Sequence, residues 1–372
     1  MSLPILFLAV VCLAYANGAN DNFKGVATLF GSGTTSFKWA VVWATITTFA
    51  GSLTAVVLAS QLLKNFSGRG LISDDLVGNM QYVSAVAAGA GLTVLIATLI
   101  GMPISTTHGL IGALVGAGWA AGSDINFPKL ASDFFLPLLI SPLLAVVATC
   151  ILYPTFRFVR NRLGITESTC LCVGREVVEA LPACCSETIA LERVEQLTAT
   201  TGTAVTCQKR YQGKVVGIEA AQVLDCLHFV SAGIVSFARG LNDTPKIAAL
   251  LLLAPQFGGF GSMAFVGILI ALGGVLSARR IAETMSKKIT PMNPGQGFTA
   301  NLITGLIVVG ASRLGMPVST THVSCGSIFG IGTITRKGDL KTIGNILSAW
   351  VTTLPMGAAL GAASFLLLRG LH

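Results

Sequence analysis

An eight-residue motif occurs twice in the chain, and its two copies constrain the fold more than any other sequence feature. Gly101–His108 and Gly315–His322 share seven of eight residues at an offset of 214 positions. A second pair, Asn20–Ala27 and Asn242–Ala249, shares the pattern N-D-x-x-K-x-x-A at an offset of 222, in the same chain order. The sequence therefore predicts two duplicated halves.

Long apolar runs surround these motifs. Of the 372 residues, 53% are hydrophobic and only 11% are charged, against roughly 25% charged in soluble domains. This composition excludes a soluble enzyme, a disulfide-stapled secreted domain and a disordered protein. The basic residues form no continuous stripe, which argues against nucleic acid as a partner. A spanning helix needs about 20 largely apolar residues, and the candidates are Trp39–Leu63, Val83–Ile100, Phe134–Phe156, Met263–Leu276, Ala300–Val309 with its flanks, and Ile343–Leu368.

We therefore predict an all-α integral membrane protein in the lipid bilayer, with about ten to twelve transmembrane segments. Residues 1–156 form the first membrane repeat, 157–221 a cytoplasmic loop with a helix-like stretch near Ser186–Leu197, and 222–372 the second membrane repeat. Short clusters of Lys and Arg separate the apolar runs. By the positive-inside rule, these basic loops of a multi-pass cell-membrane protein face the cytoplasm.

Glycine, proline and polar residues interrupt the apolar pattern at 16–25, 101–109, 238–246 and 315–322. Lipid offers no partner for a freed backbone N–H or C=O, so broken helices survive only inside protein or beside a watery cavity. Corresponding interruptions in duplicated halves are typical of secondary transporters that bind substrate near the bilayer midplane. We expect two inverted repeats with broken or re-entrant helices.

The repeated P-x-S-T-T-H element could bind a small tetrahedral oxyanion. Pro103 and Pro317 suit the first turn of a helix, where backbone N–H groups lack partners and the helix dipole favours an anion. Two such turns facing each other would offer converging N–H and hydroxyl donors. The alternative is that these hydroxyls bond to their own helix or join neighbouring helices; two near-identical copies favour a site.

Asp21 and Asp243 are acids in apolar surroundings, where a charge is costly enough to indicate function. Lys24 and Lys246 follow three positions later, so each acid could simply be neutralised by an ion pair. Alternatively, each carboxylate ligates a coupling cation such as Na⁺, or accepts a hydrogen bond from protonated phosphate, which sulfate cannot donate. The predicted substrate site comprises Asn20, Asp21, Ser105, Thr106, Thr107, Asn242, Asp243, Ser319, Thr320 and Thr321, with Asp21 and Asp243 as the Na⁺ ligands.

Histidines and cysteines are predicted to lie outside this site. His108 and His322 end the motif, where a histidine usually satisfies a nearby carbonyl. The cysteines of the charged segment do not repeat a CxxC pattern, which favours reduced thiols on a loop over a zinc or redox site. They are Cys170, Cys172, Cys184, Cys185 and Cys207.

At these motifs the sequence resembles the inorganic phosphate transporter (PiT) family. The resemblance rests on A-N-G-A-N-D at 16–21, R-G-L-N-D-T-P-K at 239–246, the two S-T-T-H copies, and P-G-Q-G-F-T-A-N-L at 294–302. It implies a symporter of inorganic phosphate coupled to Na⁺ or H⁺, with no organic cofactor, the two aspartates at the cation and phosphate site, and the S-T-T runs holding phosphate. Some members carry a membrane glutamate near the position of Asn301.

Other functions remain as alternatives to phosphate symport. A sulfate permease on the same scaffold is the nearest. A membrane enzyme is disfavoured because two equal sites lack the asymmetric roles of catalysis. A divalent-metal transporter lacks further soft ligands beside the broken helices. The sequence is compatible with a homodimer.

Overall fold

The computed structural model describes residues 2–180, 192–211, 215–252 and 258–370. It divides into two compact units, one formed by residues 1–153 and 228–372 and the other by residues 154–227. Both N-D segments and both S-T-T-H copies lie in the first unit. The three-part division at 156 and 221 stays a prediction.

The first half of the chain is helical up to the small unit. Its long helices are joined by short turns, a 3-10 turn at Asn22–Gly25 and a π-helical turn at Leu130–Phe135. The helices are α1 (Ser2–Asp21), α2 (Ala27–Gly31), α3 (Phe37–Leu58), α4 (Ser60–Asn65), α5 (Asp74–Val77), α6 (Met80–Leu99), α7 (Thr106–Ala120), α8 (Phe127–Lys129) and α9 (Leu136–Arg162).

A short helix, α10 (Ala204–Arg210), belongs to the small unit, and the remaining helices follow it along the chain. They are α11 (Ala220–Ala248), α12 (Gly258–Ser277), α13 (Arg279–Glu283), α14 (Pro294–Arg313), α15 (Thr320–Thr335) and α16 (Leu340–Gly370). Helix α14 begins and ends 214 positions after α6, and α15 begins 214 positions after α7. The duplication seen in the motif therefore extends to the helices around it. The inverted relation of the halves stays a prediction.

Seven helical stretches are long and apolar enough to cross a membrane among the described residues. This confirms a mainly helical, multi-pass membrane protein. The stretch predicted at Ile343–Leu368 is one continuous helix, α16. The count leaves out α7 and α15, which have 15 and 16 residues. It also leaves out α14, a helix of 20 residues that contains the predicted span Ala300–Val309.

Glycine lets several helices approach backbone to backbone. A Cβ added at Gly112 would lie 2.3 Å from the carbonyl oxygen of Leu354, and one at Gly116 would lie 2.0 Å from that of Ala358, so α7 packs directly on α16. A Cβ added at Gly326 of α15 would lie 2.7 Å from the carbonyl oxygen of Pro142 in α9. Close helix packing is therefore the role of these glycines.

Three of the four predicted interruptions are present. Helix α1 changes into a 3-10 turn after Asp21, and extended segments precede α7 and α15. The prediction for 238–246 is wrong, because α11 continues through Pro245 to Ala248 before a 3-10 turn at Ala249–Leu251. Pro245 has no backbone N–H and therefore removes one hydrogen bond of the helix. It lies in the last turn of α11, which ends three residues later at Ala248.

The small unit contains an antiparallel sheet, which the all-helical prediction missed. Its strands are β1 (Thr169–Ala180), β2 (Glu192–Thr203) and β3 (Val215–Glu219), with β1 in the middle. The predicted helix-like stretch is wrong at 192–197, where β2 pairs with β1; residues 186–191 lie outside the described residues. Alternation of Val, Leu and Thr with polar residues suits a strand better than a helix.

The prediction of reduced loop thiols is also wrong for two residues. Cys172 and Cys207 form a disulfide, because α10 places Cys207 over the face of β1 that carries Cys172. Cys170 is a free, buried thiol beside them. Cys184 and Cys185 lie outside the described residues.

Candidate functional site

The ten predicted site residues lie in the interior of the first unit, and none exposes more than 5% of its surface. Asn20 and Asp21 end helix α1, whereas Asn242 and Asp243 stand in the last turns of α11. The serines and threonines open α7 and α15. The structure therefore gathers four separate segments of the sequence at one place.

Each S-T-T run opens a helix in the same way. The hydroxyl of Ser105 caps α7 by accepting the backbone N–H of His108 at 3.2 Å, and Ser319 caps α15 through His322 at the same distance. This confirms the predicted opening turns and uses the strong preference of serine for the N-cap. The prolines are not in the first turn as predicted. Both lie two positions before the N-cap serine, outside the helix.

Asp21 joins the first N-D segment to the first S-T-T turn. Its Oδ2 accepts hydrogen bonds at 3.0 Å from the side chains of Asn17 and Thr106, while its Oδ1 pairs with the ammonium of Lys24. Asn20 completes this half by accepting the backbone N–H of Ile104 at 3.2 Å. A buried carboxylate is thus held by three donors, as burial of a charge requires.

Lys24 extends from the first half to the turn of the second half. Besides Asp21, its ammonium donates to the carbonyl of Ile104 at 2.8 Å and to the hydroxyl of Thr321 at 2.6 Å. It also donates to the side-chain oxygen of Asn20 at 2.8 Å. The hydroxyl of Thr321 in turn donates to the carbonyl of Ile104 at 2.8 Å. The two halves are therefore joined by a lysine that the sequence analysis treated only as a partner of its own aspartate.

Lys246 makes the corresponding contacts in the opposite direction. Its ammonium donates to the hydroxyl of Thr107 at 2.7 Å and to the carbonyl of Val318 at 2.9 Å, and it lies 3.4 Å from Oδ1 of Asp243. Asn242 donates to both Asp243 and Val318 at 3.0 Å. Thr107 and Thr321, Ile104 and Val318, and the two lysines occupy equivalent motif positions. The contacts therefore repeat with the halves exchanged.

Arg239 is the site residue that the sequence analysis missed. It is 1% exposed and donates to the side chains of Asn17 and Asn22, each at 3.0 Å, and to Thr48 at 3.3 Å. Its Nε lies 3.8 Å from Oδ2 of Asp243. The arginine stands 222 positions after Asn17, so the second half carries a charged residue where the first half carries an amide. An arginine within an apolar run was the available signal.

Counted with their formal charges, the ionisable side chains of this cluster sum to +1. Three cations, Lys24, Lys246 and Arg239, face two carboxylates, Asp21 and Asp243. Hydroxyls of both S-T-T turns adjoin the same charges. Positive charge and hydrogen-bond donors predominate in this cluster. The cluster therefore suits a bound anion better than a bound cation.

Comparison with known proteins agrees with this geometry. Residues 17–361 match the model of the phosphate transporter family. The chain belongs to that family. The probable low-affinity inorganic phosphate transporter of Rhizobium meliloti is 29% identical to it over 364 residues, covering 94% of this chain and 92% of the relative. The inorganic phosphate transporter 2-1, chloroplastic, of Arabidopsis thaliana is 26% identical over 414 residues, covering 94% and 69%.

A solved structure, a sodium-dependent phosphate transporter, has the same fold. It matches 100% of both chains with a TM-score of 0.75 at 21% identity. The family resemblance predicted from the two motifs is confirmed, and the family is one of transporters, not enzymes. The sulfate alternative receives no support from these relatives, since each is named for phosphate.

Each carboxylate of the cluster is paired with a lysine in this conformation. Both oxygens of Asp21 accept hydrogen bonds, which come from Asn17, Thr106 and Lys24. At Asp243, Lys246 approaches Oδ1 in the same way. The lysine ammonium thus occupies the position that a cation beside each carboxylate would take. The assignment of the two acids as Na⁺ ligands stays a prediction.

The two motif histidines form a contact of their own. The rings of His108 and His322 lie 4.5 Å apart between centroids, and His322 stacks on Trp350 at 3.8 Å. Nδ1 of His108 and Nε2 of His322 have no hydrogen-bond partner among the described residues. No described hydrogen bond joins either ring to the cluster of acids and lysines. The placement of the two histidines outside the site stays a prediction.

Proposed function

We propose that this transporter imports inorganic phosphate by symport with Na⁺, through one site shared by its two halves. The observation that carries the proposal is the reciprocal contact of Lys24 with Thr321 and of Lys246 with Thr107. Neither half alone contains the complete set of donors. An anion that replaces these contacts would be bound by hydroxyls and ammonium groups from both halves at once.

Phosphate fits this cluster for a chemical reason. Its oxygens can accept from Ser105, Thr106, Thr107, Ser319, Thr320 and Thr321 and from the lysines. At neutral pH it also keeps an O–H that can donate to Asp21 or Asp243, whereas sulfate has no such proton and would meet only repulsion from a carboxylate. Asn20 and Asn242 both donate and accept, which suits a position between the anion and a cation.

Coupling to Na⁺ is proposed on two grounds. A protein of the same fold is named a sodium-dependent phosphate transporter. In addition, phosphate would attract the ammonium groups of Lys24 and Lys246 away from Asp21 and Asp243, so that each carboxylate gains a free oxygen for a cation. Substrate and cation would then bind cooperatively, because each arrival favours the other. Coupling to H⁺ is the competing outcome, in which the freed carboxylates are protonated.

Transport through such a site requires the halves to move against each other. We propose alternating access in which the repeats rock about the shared cluster.

We also propose that the basic loops lie in the cytoplasm, following the positive-inside rule, and that the transporter assembles as a homodimer. Labelling of single introduced cysteines from either side of a vesicle, and cross-linking in native membranes, test these two points.

Uptake of labelled phosphate into proteoliposomes tests the function. We expect uptake that falls when choline replaces Na⁺ and that excess sulfate does not inhibit. Asp21→Asn and Asp243→Asn should each reduce uptake and change its Na⁺ dependence, while Asp75→Asn, at an exposed acid of α5, should not. Inhibition by sulfate would refute the substrate, and uptake that depends on a pH gradient but not on Na⁺ would refute the coupling ion.

A further inference from the structure

Three buried cysteines of the small unit lie together. In the sequence they are far from the aspartates and lysines of the proposed phosphate site. Cys170 and Cys172 are two positions apart on β1 and so face the same side of the sheet. Cys207 comes from α10. Each of the three is at most 3% exposed, and their sulfur atoms all lie within 4.8 Å of one another. With the ring of Tyr211 they form the buried centre of this unit.

The register of the sheet leaves room for these sulfur atoms. Gly202 of β2 is opposite Cys170, and Gly217 of β3 is opposite Cys172. A Cβ added at Gly217 would lie 2.8 Å from the sulfur of Cys170, and one at Gly202 would lie 3.5 Å from the sulfur of Cys207. Glycine at position 217 therefore keeps open the space into which the Cys170 sulfur projects, whereas the distance at Gly202 is an ordinary van der Waals contact.

The cluster contains one disulfide and one free thiol. Cys172 is bonded to Cys207, and Cys170 is free. A cytosolic disulfide is usually transient, because cellular thiols reduce it, and segment 157–221 is predicted to be cytoplasmic. A dithiol reductant supplies two electrons and two protons to the S–S bond. This yields two thiols on the chain and one disulfide on the reductant.

We propose that the reduced cluster binds a soft metal cation such as Zn²⁺ through the sulfurs of Cys170, Cys172 and Cys207. Thiolates are the preferred ligands of such cations, and each thiol releases its proton on binding. No histidine occurs between residues 109 and 227. The three sulfurs supply three of the four ligands of a tetrahedral zinc ion, and a water molecule can take the fourth position. Oxidation by an external disulfide removes two of the three ligands and releases the metal.

Titration with Cd²⁺ tests the proposal, because Cd²⁺–thiolate bonds have a characteristic ultraviolet absorption. The full-length protein in detergent carries Cys184→Ser and Cys185→Ser, which removes two other cysteines of the same sequence segment. After reduction and removal of the reductant without oxygen, we expect one Cd²⁺ per chain, displaced by Zn²⁺. After oxidation with a small disulfide, we expect no binding.

Variants at single positions assign the ligands. Cys170→Ser should raise the Kd of Cd²⁺ by about tenfold or more, since losing a ligand costs at least as much as losing a supporting contact. It should still form the Cys172–Cys207 disulfide, measured by mass spectrometry. Gly217→Ala should weaken binding by crowding the Cys170 sulfur. Cys226→Ser, at an exposed thiol, is the control with unchanged binding.

Gel filtration of each variant verifies that it is folded before titration. Reduced protein that gives no saturable Cd²⁺ absorption would overturn the proposal. Binding that persists unchanged after oxidation, or in both Cys170→Ser and Gly217→Ala, would also overturn it.

Discussion

Replacing Thr107 or Thr321 by valine removes one hydroxyl that joins the halves while keeping the size and branching of the side chain. In each case the hydroxyl accepts a hydrogen bond from a buried ammonium, at 2.7 Å from Lys246 and 2.6 Å from Lys24. Such a bond to a charged group contributes about 1.5–3 kcal/mol. The hydroxyl of Thr321 also donates to the carbonyl of Ile104 at 2.8 Å, whereas the corresponding bond from Thr107 is longer, at 3.4 Å.

Both variants should therefore lose about 1.5–3 kcal/mol of stability, and Thr321→Val should lose about 1 kcal/mol more for the second hydrogen bond. Thermal unfolding in detergent measures this loss as a fall of several degrees in Tm. If the same hydroxyls bind phosphate, the KM of uptake should rise in both variants by roughly tenfold or more, since 1.36 kcal/mol corresponds to a factor of ten.

Thr107→Ser and Thr321→Ser are the matched controls, because serine keeps the hydroxyl and loses only a methyl group. They should retain most of the stability and a KM near that of the wild type. Wild-type Tm and KM in both valine variants would refute the claim that these contacts join the halves at the substrate. A loss in only one variant would refute the equivalence of the two halves.

Three further substitutions test other parts of the structure. Gly116→Ala should reduce stability by about 1–3 kcal/mol, because the added Cβ would lie 2.0 Å from the Ala358 carbonyl oxygen. Gly344→Ala in α16 is the control and should not reduce stability, because its added Cβ meets open space; thermal unfolding measures both. Arg239→Met removes the positive charge and should abolish equilibrium binding of phosphate. Arg239→Lys keeps the charge but loses the several hydrogen bonds that a guanidinium donates at once, so it should bind phosphate more weakly than the wild type. Asn79→Ala removes the N-cap of α6, where the side chain accepts from the N–H groups of the first turn, and should lower stability by about 1 kcal/mol in denaturant titrations.

Repetition made the meeting of the four interrupted segments predictable from the sequence. Two copies of N-D and two of S-T-T, in the same order, indicated converging segments, and the structure brings Asp21 to Thr106 and Lys24 to Thr321. The opening turns were also predictable, because serine at an N-cap is a local preference. These features depend on short stretches of sequence and on duplication, both of which can be read directly.

Features that depend on tertiary contacts were not predictable. Lys24 and Lys246 each contact the S-T-T turn of the opposite half. These contacts depend on where that turn lies in the fold, whereas the sequence shows only the spacing of each lysine from an aspartate. The continuous course of α11 through Pro245 depends on its buried surroundings. Pairing of Cys172 with Cys207 required the register of a sheet whose strands are separated by loops, and single-sequence patterns do not give that register.

Equilibrium binding of labelled phosphate to the purified transporter in Na⁺ tests the shared site most directly. One shared site predicts one phosphate per chain, with binding lost both in Thr106→Val, in the first turn, and in Thr320→Val, in the second. Two phosphates per chain, each lost independently in one of the two variants, would contradict a site built jointly by the halves.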